Sequence, residues 1–305
     1  MKRSHFALAL TLALCTPSLA QAAATSCNES CLLSIADTYL GSLTANDLSG
    51  TPLAAKVRWT ENGRETSPGE GIWKTASAWS YRHTFVDPEA GGIGVHGTVV
   101  EANGKSAIVA IRLKVVDQRI TENELLVSRE GDFGLFNTTL IDPKAIFSQV
   151  VPAEDRSTRA QLKAIAEGYF TGISTENPQA VSFHPDCNRV ENGVQTTNSP
   201  PRMMLSCSES LRHFAYMQRH RETRFPVVDT KRGLVWAITA FDMPLMKRKN
   251  VVRGRPYEIS AELQHLPRTL FLYELFKVEG GKIRQIEAEM RNAPLGASMG
   301  WDADR

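Results

Sequence analysis

The chain has 305 residues, enough for one large domain or two ordinary ones. Its 42% hydrophobic and 22% charged residues are typical of a globular protein and exclude a disordered, collagen-like or acidic-tail chain. The formal net charge of +2 gives no support for nucleic-acid binding by bulk electrostatics.

The N-terminus predicts an export signal over residues 1–22. Two basic residues open it, an apolar core runs from Phe6 to Leu14, and Ala20-Gln21-Ala22 is a small-residue cleavage site. The apolar run is too short to span a bilayer, and the residue before Cys15 is not small, which argues against lipidation. We therefore expect an exported protein, periplasmic or secreted, with no membrane partner.

Four cysteines remain once the signal is removed: Cys27, Cys31, Cys187 and Cys207. An even number in an exported protein fits two disulfides, and three pairings are open. We favour Cys27–Cys31 and Cys187–Cys207, because each bridge then closes within one half of the chain. A metal site is less favoured, because no C-x-x-C pair is present.

The first half of the chain is predicted to begin with an amphipathic helix and to continue as strands. The apolar stripe of the helix is Leu32, Ile35, Tyr39 and Leu43. Strands separated by Pro- or Gly-containing turns follow. They are predicted at about 56–62, 79–87, 93–101, 106–116 and 119–128.

The second half repeats this succession. Its opening helix carries Leu162, Ile165, Tyr169 and Ile173 on one stripe. A further helix is predicted near 208–218, before the long strands. The strands are predicted near 187–192, 219–229, 233–242, 268–278 and 282–290.

Two short matches, both 130 residues apart, indicate an internal repeat. Ala36-Asp37-Thr38-Tyr39 recurs as Ala166-Glu167-Gly168-Tyr169, and Glu61-Asn62-Gly63 recurs as Glu191-Asn192-Gly193. We therefore predict two tandem domains over 27–130 and 157–291, a linker over 131–156 and a C-terminal tail over 292–305.

A helix followed by a long antiparallel meander is an α+β pattern, and a sheet that curls around its opening helix forms a cone with an apolar interior. The most specific segments are 57–63, 69–75, 184–198, 224–229 and the terminal Gly300-Trp301. Through these segments the chain resembles an exported, mostly fungal two-copy family without known function, and each copy resembles the nuclear-transport-factor-2-like, or SnoaL-like, fold. The resemblance implies the fold but not one chemistry, because that fold carries dehydratases, isomerases, cyclases, lyases and non-catalytic binding domains.

The Glu-Asn-Gly segment of each copy suggests an acid or base. Trp59 and Glu61 share a face of the first strand by two-residue alternation, and a carboxyl beside an aromatic ring has a raised pKa. Glu191 holds the same position in the second copy. The alternative is that Asn-Gly makes a turn and the Glu pairs with an Arg.

Histidines and basic residues complete the candidate sets. The resembling fold implies a His, Asp or Glu base that is aided by Tyr or Arg. We expect His83 and His96 on inner strands, although a lone His is often a structural, hydrogen-bonded residue. The copies lack matching histidines, since Phe225 falls opposite His83 and Ala237 opposite His96. The candidate catalytic residues are Glu61, His96, Glu191, His213 and Arg224, and the candidate substrate-binding residues are Trp59, Tyr81, His83, Asn192, Tyr216 and Arg221.

No cofactor and no metal are expected. His-Glu-x-x-His is absent, and no Gly-x-Ser-x-Gly elbow occurs. Gly92-Ile93-Gly94-Val95-His96-Gly97 matches the dinucleotide fingerprint, but a turn precedes it and a β-rich run follows, whereas the fingerprint needs a strand before it and a helix within it.

Charge is unequal between the halves. Residues 23–152 carry 11 basic and 15 acidic residues, and residues 153–305 carry 22 and 18. Five of the basic residues lie on the long connection at 243–267, which is either a lid that attracts an anionic or phenolic ligand or a solvated loop. The acidic and basic halves are also expected to attract each other.

We therefore predict an exported, cofactor-independent lyase, dehydratase or isomerase that acts on a small apolar or aromatic molecule by acid–base chemistry. The alternative is a non-catalytic exported protein that binds a small molecule or serves as a scaffold, as the unmatched candidate residues of the two copies suggest. Its expected partner is a small-molecule ligand; no nucleic acid and no membrane are expected.

Overall fold

The computed structural model describes residues 27–139, 145–199, 205–214, 217–244, 249–252, 255–258 and 267–301. The predicted export signal and most of the basic connection at 243–267 lie outside these ranges. No helix within the described ranges is long and apolar enough to cross a membrane.

The first unit, residues 29–128, consists of one helix and one six-stranded sheet with the order β2-β1-β6-β5-β4-β3. Asn28 caps the helix by accepting a hydrogen bond from the backbone N–H of Cys31. The elements are α1 (Glu29–Ala45), β1 (Leu53–Glu61), β2 (Arg64–Glu65), β3 (Ala76–Asp87), β4 (Gly92–Glu101), β5 (Ser106–Val116) and β6 (Arg119–Ser128).

The second unit, residues 159–294, has a sheet of the same order, β8-β7-β14-β13-β10-β9. A hairpin of two short strands lies between β10 and β13 in the chain. The elements are α2 (Arg159–Ser174), β7 (Phe183–Glu191), β8 (Val194–Gln195), α3 (Cys207–Ser210), β9 (Arg219–Asp229), β10 (Leu234–Met243), β11 (Lys249–Val252), β12 (Arg255–Glu258), β13 (Arg268–Glu279) and β14 (Lys282–Pro294).

Both sheets are mixed. Most neighbouring strands are antiparallel, as the meander predicted, but β1 pairs with β6 in parallel, and β7 pairs with β14 in parallel. The first strand of each unit therefore lies beside the last one. The described residues thus form an α+β fold with two six-stranded mixed sheets.

The central strands of each sheet are buried on both faces. One face packs on the helix of its own unit, so that α1 and α2 each share an apolar cluster with their sheet. The other faces pack on each other through Phe85, Leu126, Trp236 and Tyr273. All ten residues of β10 are buried as a result. A polar side chain on these strands therefore needs a partner inside the protein.

The two favoured disulfides are confirmed. Cys27 and Cys31 are bridged with their Cα atoms 5.3 Å apart, and Cys187 and Cys207 with theirs 5.9 Å apart. Both separations lie in the usual range for a disulfide. Two disulfides are compatible with an extracellular protein.

The predicted correspondence between β4 and β10 is wrong by one residue. The turns pair Asp87 with Gly92 in the first unit and Asp229 with Leu234 in the second, so His96 is equivalent to Ile238 and not to Ala237. A one-residue slip exchanges the two faces of a strand.

His83 pairs with His96, and Arg224 pairs with Ile238. Arg224 is therefore the equivalent of His83, in place of the predicted Phe225. His96 lies on the face that meets the second unit, in contact with Trp236, and not on the helix-facing side.

Gly94 tests the fit between the two units. A Cβ atom at this position would overlap the ring of Phe85, which lies in the cluster between the sheets. We expect Gly94→Ala to lower the free energy of unfolding by about 1–3 kcal/mol. Gly134→Ala is the control, because no atom lies within 4 Å of its added Cβ. Urea unfolding measures both variants, and equal stability would contradict the described packing.

Candidate functional site

The helix-facing core of the second unit contains a buried arginine at its centre. Arg189 on β7 is 2% exposed, and its Nε lies 2.6 Å from Glu191 Oε1. The guanidinium also donates to Thr196 Oγ1 at 3.1 Å and to Ser210 Oγ at 3.0 Å. The guanidinium carbon of Arg189 lies 4.5 Å from the centre of the Phe214 ring. The positive charge is thus neutralised by one carboxylate and held in one orientation.

The Cys187–Cys207 disulfide fixes this arrangement. Cys187 lies two residues before Arg189 on β7, and Cys207 begins α3, which carries Ser210. Helix α3 has only four residues, which is too short to be stable alone. The bridge and a capping box at Ser206 hold α3 against β7.

Glu274 on β13 is a buried acid in the same core. Its Oε2 has no hydrogen-bond partner among the described residues. Burial, and secondarily the charge of Glu191, raise the pKa of Glu274 to about 8 against the opposing effects of Arg189 and a hydrogen bond with Tyr169. The carboxyl group is therefore neutral at pH 7 and able to donate a hydrogen bond. The sequence analysis missed this residue, because an isolated Glu within an apolar strand carries no motif.

The helix-facing core of the first unit has apolar side chains at the positions of Arg189 and Glu274. Glu61 of the first unit and Glu191 of the second hold equivalent positions in their sheets. Two residues earlier on the same strands, Trp59 is then equivalent to Arg189. Through the pairing of the last strands, Ile111 is equivalent to Glu274. The rings of Trp59 and Trp73 pack edge to face, with their centres 5.6 Å apart. Among the described residues, only the helix-facing core of the second unit combines a buried acid and a buried arginine.

The Glu-Asn-Gly segments are turns, as the alternative interpretation held. Asn62 and Asn192 have φ angles of 53° and 44°, and the glycine after each also has a positive φ. Asn192 accepts from the Met290 N–H at 2.8 Å and donates to the Met290 carbonyl at 2.9 Å, so its side chain anchors the turn. Glu61 accepts from the Ile72 N–H at 2.9 Å at the start of a 3₁₀ helix; burial raises its pKa.

Arg224 lies between the two units and not in a helix-facing core. Its guanidinium forms a two-pronged ion pair with Glu124 of the first unit, at 2.7 and 2.9 Å. Tyr273 donates to the same carboxylate at 2.9 Å, and Arg112 lies 3.7 Å from it. All four side chains are buried. This geometry is that of a buried ion pair between the units, and the catalytic role of Arg224 remains a prediction.

A second polar cluster between the units contains three of the predicted residues. Tyr81 donates to Glu287 Oε1 at 2.7 Å, and His96 Nδ1 lies 3.6 Å from the same atom. His83 is the third, and burial lowers its pKa to about 4 against the charge of Glu287. These side chains meet the second sheet and do not join Trp59 in the first helix-facing core.

The other predicted residues lie apart from both clusters. Arg221 forms a salt bridge with Asp242 at 3.0 Å and donates to the Ala297 carbonyl at 2.7 Å. His213 is part of a 3₁₀ helix, Leu211–Phe214, but its side chain lies outside the described residues, as does Tyr216 altogether.

Comparisons with known proteins match parts of this architecture. Residues 155–290 match the family model described as "Domain of unknown function (DUF8021)". No curated protein matches the chain at a significant level.

Solved structures with similar features each cover 44% of the chain. They include a de novo designed protein with a curved β-sheet (13% identity, 87% of that chain, TM-score 0.28). AclR from Streptomyces galilaeus matches at 10% identity over 91% of that chain, with a TM-score of 0.29. PrhC from Penicillium brasilianum NBRC 6234 matches at 16% identity over 82% of that chain, with a TM-score of 0.27.

The ion pair between the units is predicted to be essential for stability. Arg224→Met leaves the Glu124 carboxylate buried without its two-pronged partner, so we expect a loss of about 3–5 kcal/mol in the free energy of unfolding. Lys74→Met removes an exposed ion pair with Glu70 and should change the free energy of unfolding by less than about 1 kcal/mol. Denaturant unfolding of both variants measures the difference, and similar small effects would contradict the buried pairing.

The pKa of Glu274 predicts a pH dependence of stability. A carboxyl whose pKa is raised on folding stabilises fully below its unfolded pKa, and the contribution is lost as pH rises through the folded value of about 8. Between about pH 4.5 and 8, wild type should lose stability relative to Glu274→Gln at about 1.4 kcal/mol per pH unit. Urea unfolding of both proteins across this range tests it; a constant difference would show that Glu274 ionises normally.

Proposed function

We propose that the helix-facing core of the second unit binds a small, neutral carbonyl compound and catalyses proton transfer at the carbon next to the carbonyl. In this proposal α2 closes a cone formed by the second sheet, and Glu274 points into its interior. The observation that carries the proposal is the neutral carboxyl of Glu274, whose Oε2 has no hydrogen-bond partner among the described residues, next to an ion-paired Glu191.

The two acids are suited to different roles. Glu274 donates a hydrogen bond to the carbonyl oxygen, where negative charge develops as the proton leaves the neighbouring carbon. Glu191 acts as the base that takes this proton. A neutral carboxyl beside a carboxylate that is ion-paired is a recurring arrangement in acid–base catalysis. The reaction class is isomerisation, or elimination when a leaving group is attached.

The charges of the core favour an uncharged ligand. The charge of Arg189 is matched by Glu191, and Glu274 is neutral, so these three side chains add no net charge. Burial of an unpaired anion among apolar side chains would be unfavourable. The predicted class of anionic or phenolic ligands is therefore restricted to molecules that are uncharged when they bind. Such a molecule gains a negative charge only during the reaction. We also propose that the protein works outside the cytoplasm, where its two disulfides persist.

A binding protein without catalytic activity is the second candidate. It is favoured by the closed hydrogen bonding of Arg189, whose contacts to Glu191, Thr196 and Ser210 limit the freedom of Glu191 to act as a base. A bound molecule recovered unchanged from the protein, without proton exchange, would support this candidate.

Binding of 4-nitrophenol tests the site, because its absorbance distinguishes the phenol from the phenolate. We expect saturable binding at one site. The affinity should fall about tenfold or more in Glu274→Gln, because the O–H donor of the neutral carboxyl is replaced by the N–H donor of an amide. Glu61→Gln should bind as wild type does, because Glu61 lies in the first unit.

Deuterium exchange into cyclohexanone from D₂O, followed by NMR, tests catalysis. We expect the exchange rate to fall about 10²-fold or more in Glu191→Gln and in Glu274→Gln. Equal exchange in wild type and both variants would contradict the assignment of these acids, and binding of 4-nitrophenol without any exchange would select the non-catalytic candidate.

A further inference from the structure

Two buried acids at equivalent positions between the units, Glu124 and Glu287, differ in their partners. Glu61 pairs with Leu125, and its equivalent Glu191 pairs with Ala288. One residue before each of these partners, Glu124 of β6 is therefore equivalent to Glu287 of β14. Glu124 is matched by two guanidinium groups, those of Arg224 and Arg112. Glu287 has neither, because His83 and Leu275 occupy the equivalent positions.

Glu289 adds a second carboxyl group beside Glu287, which has no guanidinium partner within the part of the chain that the structure describes. It follows Glu287 by two residues on β14, so both side chains point to the same face. Glu287 is 1% exposed and Glu289 is 4% exposed. The Oε2 atom of each has no hydrogen-bond partner among the described residues. Two adjacent buried carboxyls thus offer unused oxygen atoms to one point.

A nitrogen of His96 lies close to these two carboxyl groups. His96 is fully buried, and its Nδ1 has no hydrogen-bond partner among the described residues; the same holds for His83 Nδ1. Donor atoms of His96, Glu287 and Glu289 lie within 4.8 Å of one another. Ligands of one cation, each about 2.1 Å from it, are at most about 4.2 Å apart, so small side-chain movements suffice.

We infer that His96, Glu287 and Glu289 form a binding site for a divalent first-row transition metal ion that links the two units. An imidazole with carboxylates suits Zn²⁺ or Mn²⁺. The two charges of the ion equal those of the two carboxylates, and the ion takes the place that guanidinium groups have beside Glu124. This site lies on the opposite face of β14 and β13 from Glu274 and is independent of the proposed function.

Binding of an ion at His96 Nδ1 requires a change of tautomer of this histidine. Trp236 Nε1–H donates to His96 Nε2 at 2.8 Å, so the neutral ring carries its proton on Nδ1. The ion needs the Nδ1 lone pair, and the proton then moves to Nε2, which ends the Trp236 hydrogen bond. One hydrogen bond is small beside the interaction of an ion with two buried carboxylates, and no proton is gained or lost by the ring.

Metal content tests the inference directly. The full chain is produced in medium supplemented with Zn²⁺ and Mn²⁺, desalted without chelator and analysed by elemental mass spectrometry. We expect about one equivalent of one of these ions per chain and a melting temperature several degrees above that of protein produced in depleted medium. A folded wild-type chain that contains neither ion, and whose melting temperature neither ion raises, would overturn the inference.

Matched variants locate the ion. Glu289→Gln keeps the shape of the side chain and should lower metal affinity about tenfold or more. His184→Ala removes a partly exposed histidine beside Asp186, and it should keep the metal content of wild type. Glu274→Gln should keep it as well, which separates this site from the proposed function. Undiminished metal in Glu289→Gln, or loss in His184→Ala, would contradict the assignment.

Discussion

The structure depends on one constraint: the central strands of both sheets are buried on both faces. One face packs on a helix, and the other packs on the second sheet. Alternation along each strand then sends neighbouring residues into different environments, both of them dry. Glu274 and Leu275, for example, are adjacent on β13, but Glu274 lies with the residues around Arg189 and Leu275 lies between the sheets. A carboxyl group that is buried on these strands therefore depends on partners inside the protein.

The buried acids meet this constraint in different ways. Glu124 has a two-pronged arginine from the other unit, and Glu191 has an arginine from its own strand. Glu274 stays neutral, because burial raises its pKa to about 8. The Glu287 and Glu289 pair has neither a guanidinium nor a full set of hydrogen bonds among the described residues. The oxygen atoms without a hydrogen-bond partner, on Glu274, Glu287 and Glu289, are the ones from which both proposals start.

Much of the fold could be predicted from the sequence. The predicted strands overlap those of the structure, and both favoured disulfides are confirmed, because turn residues and cysteine counts are local signals. The faces of the strands could not be predicted, since a strand buried on both sides shows no alternation of polarity. The sequence therefore did not indicate that His96 and Arg224 lie between the sheets, and Glu274 was missed. The tandem-domain boundaries and the export signal remain predictions.

The central claim is that a buried acid without a cation stays neutral in the second unit, and infrared spectroscopy tests it most directly. The difference spectrum of wild type minus Glu274→Gln at pH 7 isolates the carboxyl of this residue from all others. The account predicts the C=O band of a protonated carboxylic acid, which disappears on titration with a midpoint near the pKa of about 8. A difference spectrum that contains only carboxylate bands at pH 7 would contradict the account.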